Sequence, residues 1–338
     1  MHYLFEPGLF SSGPVRTALL VGAIVAVTSG VIGVFTVLRG QSFAGHSLAD
    51  IATTGGSGAF LVGVNQFWGF LVAGVAAATV MEAIGVQRRR GRDVATGVVL
   101  GGALGLAALF LYLGTLRTAT TGASFTVLFG SIFAINPDTV PALIASGAVA
   151  LLVVAALARV LLLTSVSPDL ARARGVNVRL VGILYLAALA VSVSLASVAI
   201  GAVLSTALLI GPSATALRLT KSPARAMAAS ALVGLVVTWV SIVLAYDSYY
   251  WPPHGHTWPV SFFVVVLVLA CYLLSNLRPR RRQVPRLAEG AMAKTAVVSR
   301  PQPASIPRGD DPPHPPDVRA GARTTPSPPQ GSVGEAHV

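Results

Sequence analysis

The sequence predicts an all-α, polytopic transmembrane helix bundle of about 8–10 spans with a disordered C-terminal tail. Three observations point there. Of 338 residues only 11% are charged while 54% are hydrophobic, against roughly a quarter charged in soluble domains. Apolar runs recur along most of the chain at about 20 residues, the length a helix needs to cross a bilayer. The Lys and Arg residues gather in gaps between those runs, as cytoplasmic loops do. Together these exclude an ordinary soluble enzyme. The net charge of +12 divides into +7 over 1–277 and +5 over 278–338. In a polytopic chain such an excess reports loop orientation and contact with membrane lipids, so no nucleic acid partner is expected.

Residues 1–14 are read as a short external N-terminus. Residues 1–13 contain no Lys or Arg, so the basic start of a cleavable secretory signal is not expected. Candidate spans follow at 15–38, 43–64, 66–86, 94–113, 139–163, 179–199, 201–220, 226–246 and 258–277, which makes 15–277 the membrane domain. The second run is unusually polar, and the sixth and seventh are divided only by Ile200 and Gly201. Basic clusters come after the third run (Arg88, Arg89, Arg90, Arg92), the fifth (Arg172, Arg174, Arg179), the seventh (Arg218, Lys221, Arg225) and the ninth (Arg278, Arg280, Arg281, Arg282). The loop 247–257 has none. Every cluster follows an odd-numbered run, so the N-terminus is expected outside and the C-terminus in the cytoplasm.

Two stretches are not spans. Residues 124–135 read SFTVLFGSIFAI, apolar but too short to cross, which suits a re-entrant or interfacial segment buried against other helices. Residues 278–338 are basic and Pro-rich, with 12 of the 22 prolines after 278. Such a composition buries too little apolar surface to offset chain entropy, and its basic start suits anionic lipid. The lone Cys271 lies inside an apolar run and is read as packing.

The second run carries the chemistry. Ser42, His46, Asp50, Thr53 and Ser57 recur at helical spacing and share one face. Ionisable side chains on a membrane helix avoid lipid, so this stripe is expected to line a pathway or an interhelical seam. His46 and Asp50, four residues apart, can offer an imidazole nitrogen and a carboxylate to one divalent ion. The other reading is a His–Asp hydrogen bond that locks two helices together. Glu82 lies about one turn before Arg88–Arg90 and is read as a salt bridge or snorkelling group, or else as part of the pathway. His254 and His256 form a His-x-His pair in the external loop, either a weak metal trap or an ordinary interfacial loop. Gly97, Gly101 and Gly105 repeat every fourth residue and are read as helix packing. The two lysines, Lys221 and Lys294, do not follow glycine, so no phosphate-binding loop of the G-x-x-x-x-G-K type exists here, and ATP-driven transport would need a separate ATPase chain.

Four stretches give a resemblance: VLRGQSFAGHSLAD at 37–50, LFGSIFAINPD at 128–138, SPDLARARGVN at 167–177 and GAVLSTALLIGPSATA at 201–216. They resemble the integral-membrane permease subunit of the zinc/manganese/iron ABC importers, the ABC-3 family, over roughly 15–277. The resemblance implies a second permease chain (a homodimer), a cytoplasmic ABC ATPase dimer and an extracytoplasmic metal-binding protein. It implies a multi-pass protein in the cytoplasmic membrane of a prokaryote, with ATP hydrolysis on another chain. Divalent metal is then the transported substrate rather than a resident cofactor, with Zn²⁺ ahead of Mn²⁺ and Fe²⁺. His46 and Asp50 would be transient intramembrane ligands, Ser42, Thr53 and Ser57 the lining, and Pro168, Asp169, Leu170 and Arg172 the contact with the ATPase. The family pattern has Asp before His; here His46 precedes Asp50, and a histidine common in the fourth helix is replaced near Gly101. The alternatives are an ATP-independent channel or secondary carrier that uses the same stripe, and a non-transporting membrane scaffold.

Overall fold

The computed structural model describes residues 12–84, 93–118, 122–251 and 257–277. Among them there is no strand, and nine long helices lie on the nine apolar runs. These are α1 Gly13–Leu38, α2 Ser42–Leu61, α3 Gln66–Ile84, α4 Asp93–Thr118, α6 Val140–Val166, α8 Val178–Ile200, α9 Ser205–Leu219, α10 Pro223–Asp247 and α11 Val260–Leu277, with two short helices, α5 Gly122–Phe129 and α7 Pro168–Ala173. Six of these helical stretches are long and apolar enough to cross a membrane. The exceptions have visible causes: α2 carries the polar stripe, α3 has only the shorter apolar stretch Gln66–Glu82, and α9 is 15 residues with Pro212 inside. The chain divides into units Met1–Pro279 and Arg280–Val338. The second unit, which holds nearly all of the expected tail, lies outside the described residues, as do Arg88, Arg89, Arg90, Arg92, Arg278, His254 and His256.

Helices α1 and α8 form the centre, with 67% and 72% of their apolar windows buried, whereas α4 reaches only 17%. Without a hydrophobic force between helices in lipid, close backbone approach decides the packing, and small residues permit it. A Cβ on Gly30 would overlap the α10 backbone at Ser230 and Ala231, and one on Gly33 would overlap Leu209 of α9. Gly55 of α2 and Gly69 of α3 lie face to face, and a Cβ on either would overlap the other's carbonyl. Buried hydroxyls tie the same helices. Ser194 of α8 donates to the Phe70 carbonyl of α3 (3.0 Å), and the Ser213 and Ser230 hydroxyls of α9 and α10 are 3.0 Å apart.

The narrow gap between the sixth and seventh runs has a specific solution. Gly201, at φ +91, turns the chain without a loop. The Ala202 and Val203 amides donate to the Val127 and Leu128 carbonyls, both at 3.3 Å. The short α5 is thereby docked on the α8–α9 turn, and Val127 and Ile132 are buried.

Candidate functional site

Helix α2 begins after a tight turn in which Gly40 takes a positive φ of +64. The five stripe residues fall in two groups. Thr53 and Ser57 are buried and donate their hydroxyls to the Ala49 and Thr53 carbonyls at 2.7 and 2.6 Å. Their protons are used within the helix, leaving oxygen lone pairs. Ser42, His46 and Asp50, nearer the helix start, are partly open. The His46 side chain is 51% exposed and that of Asp50 16%, with Nε2 and Oδ2 3.6 Å apart. That separation is beyond a good hydrogen bond, and both groups belong to one helix, so the pair does not lock two helices together. It holds two donors side by side on an open face. Among the described residues no group of three His, Cys, Asp or Glu side chains converges, and His46 and Asp50 are the two that stand together here.

The neighbouring helix is held by a contact the spacing did not reveal. Thr54 Oγ1 donates to the Ala103 carbonyl of α4 at 2.7 Å, next to Gly101, which has nothing within 4 Å of where a Cβ would lie. The position at which the family pattern has a histidine is therefore open space on this chain.

The second expected site is a compact cap. Ser167 closes α6 by donating its amide to Leu163 O (3.0 Å) and starts α7 by accepting from the Leu170 amide (3.4 Å). Pro168 occupies the first turn of α7, where its missing N–H costs nothing. Asp169 pairs with Arg172 at 2.8 Å, both well exposed, and Leu170 projects outward while Ala171 is fully buried beneath. Gly175 at φ +77 then ends the turn, and Asn177 caps α8.

Glu82 packs its carboxyl against Gly182 of α8 and lies in the field of Arg39 and Arg179. The expected partners Arg88–Arg90 lie outside the described residues. Arg39 was missed by reading the sequence. It follows α1, and its guanidinium donates to Gln41 Oε1 (3.2 Å) and Thr164 Oγ1 (2.9 Å) and lies 5.1 Å from the Tyr185 ring centre. The available signals were its isolation from the four basic clusters and its place in the stretch 37–50 that carries the family resemblance.

The ABC 3 transport family matches residues 13–275. The chain belongs to that family. The manganese import system permease protein ScaB of Streptococcus parasanguinis is 29% identical over 72% of this chain and 85% of its own length. The high-affinity zinc uptake system membrane protein ZnuB of Haemophilus influenzae is 29% identical over 61% of this chain and 78% of its own. Among solved structures, PsaBC from Streptococcus pneumoniae in complex with Fab superposes with a TM-score of 0.65 at 23% identity, covering 83% of this chain and 97% of that one, which shows the shared fold. As a member of the ABC 3 transport family the chain is a multi-pass membrane protein and a transport subunit.

Proposed function

We propose that the chain is the permease subunit of an ABC importer that moves a divalent metal, with His46 and Asp50 as passing ligands. The observation that carries this reading is the half-open His46 standing 3.6 Å from Asp50 on a helix of the bundle. Ionisable groups on a membrane helix face a pathway or a partner, not lipid. One imidazole and one carboxylate suit both Zn²⁺ and Mn²⁺, and the names of the relatives divide between manganese and zinc. Ser42 continues the lining beside them, while the buried Thr53 and Ser57 lie behind it within the bundle. Two ligands leave a divalent ion under-coordinated, which favours release as well as capture.

In this reading two copies of the chain enclose the pathway, a cytoplasmic ABC ATPase dimer docks on Asp169, Leu170 and Arg172, and an extracytoplasmic metal-binding protein delivers the ion. The positive-inside bias puts the N-terminus outside and the C-terminus in the cytoplasm of a bacterial cell membrane. The decisive experiment reconstitutes the permease with its ATPase in liposomes and measures ATP hydrolysis and metal uptake with Mn²⁺ and with Zn²⁺. Uptake that requires ATP supports the importer, and the ion giving the higher uptake at equal concentration identifies the substrate. Uptake that proceeds equally without ATP would replace it with a channel or carrier.

A further inference from the structure

We propose that Arg39 is the positioning residue that links the ATPase-contact segment to the start of the metal-bearing helix, an inference that rests on the function proposed above. Helix α2 packs chiefly on α3 and α4, while α1 packs on α10, α9, α6 and α8. The two groups also meet directly, with α2 and α3 packed on α8, and at the turn 39–41 one side chain bridges α1, α6, α8 and the start of α2. The Arg39 guanidinium holds Gln41, the residue before α2, at 3.2 Å and Thr164 of α6 at 2.9 Å. Its cation also lies 5.1 Å from the Tyr185 ring centre of α8, and the Tyr185 hydroxyl is 2.8 Å from Thr36 Oγ1 of α1.

Thr164 and Tyr185 flank α7 on either side in sequence. The connection from Thr164 to α7 has no slack, because Ser167 alone closes α6 and opens α7. On the other side Gly175 and Asn177 lead directly into α8. A displacement of α7 therefore reaches both groups that grip Arg39. From there it reaches Gln41 and the helix that carries His46 seven residues after Arg39.

The chemistry of the link suits a joint with two settings. Burial lowers the Arg39 pKa from its ordinary value, and Tyr185 and Glu82 oppose that fall; a guanidinium nevertheless stays protonated in proteins. Glu82 of α3 also lies in the field of Arg179, in the first turn of α8. Four helices and one turn thus meet at a charged node. Apolar packing of the same volume commonly stabilises as well as an ion pair or better, and a registry or switching role is the best-attested reason to keep the charge. A planar fork with directional bonds to Thr164 and Gln41 is also sensitive to displacement in a way that dispersion contacts are not.

The test uses the full permease–ATPase complex in liposomes, reading metal ions taken up per ATP hydrolysed. Arg39→Gln is expected to leave complex assembly and basal ATP hydrolysis unchanged while metal moved per ATP falls on the order of tenfold, the loss carried by one charge-assisted hydrogen bond. Arg39→Lys, which keeps the charge without the fork, should recover part of the ratio, and Thr164→Val should lower it. A purely structural cap would reduce hydrolysis and uptake together and leave the ratio unchanged. An unchanged ratio in Arg39→Gln and Thr164→Val overturns the inference. If Arg39→Gln does not assemble, a wild-type ratio in both Arg39→Lys and Thr164→Val overturns it equally. A wild-type complex whose metal uptake proceeds equally without ATP would instead overturn the proposed function, and this link with it.

Discussion

His46 and Asp50 show how differently one fold treats two neighbouring donors. The carboxylate is mostly enclosed and the imidazole half-open, so Asp50 is oriented by packing while His46 retains freedom to meet an ion. Loss of a hydrogen-bonding partner of a metal ligand typically costs 10–100-fold in affinity or activity, so loss of a ligand is expected to cost at least as much. His46→Ala and Asp50→Ala should each lower metal uptake by at least about tenfold while the complex still assembles, measured by isotope uptake beside co-purification with the ATPase. The exchange His46→Asp with Asp50→His keeps the donor set and should retain partial uptake. Normal uptake in His46→Ala would remove the pair from the pathway. The stripe itself was legible, because 42, 46, 50, 53 and 57 keep helical spacing. What the spacing could not show is that the later two are buried, since that depends on the helices packed around α2. Arg39 was illegible for the same reason: its partner Thr164 lies 125 residues away.

At the scale of elements, α7 is built as a small rigid head. Ala171 is buried and anchors it, and Asp169, Leu170 and Arg172 project outward. Exposed ion pairs contribute little to stability, so Asp169→Ala with Leu170→Ala should leave insertion and expression near normal. The same double substitution should lower ATP-driven uptake several-fold by weakening the ATPase contact, and crosslinking from position 170 to the ATPase should report that contact. Crosslinks formed only from the 87–93 region, never from 168–177, would move the contact elsewhere. Most element positions could be read from the apolar runs, because bilayer length and hydropathy act locally. The boundaries that shifted did so for tertiary reasons. The run at 201–220 gave up its first residues to a Gly201 turn bonded to α5, and the segment 124–135 became α5 plus a turn, Gly130 at φ +75 packing against Gly201.

Among the six long apolar helices of the described residues, α1 and α8 are the most enclosed and α4 the least. The Pro-rich residues after 286 have a composition that buries little apolar surface. A chain ending at Arg286 should bind its ATPase and transport within about twofold of full length, as the composition of the removed part predicts; loss of the complex on gel filtration would assign the tail a role in assembly. The placement of α1 also bears on biogenesis. The glycine faces of α1 at Gly30 and Gly33 are covered by α10 and α9, which leave the ribosome some 170 to 210 residues later. At about 5–20 residues per second that interval lasts on the order of ten to forty seconds. Throughout it the Gly30 and Gly33 face of α1 has neither of the helices that later cover it. The Gly30 and Gly33 face of α1 therefore gains its helix partners only after most of the membrane domain has been made.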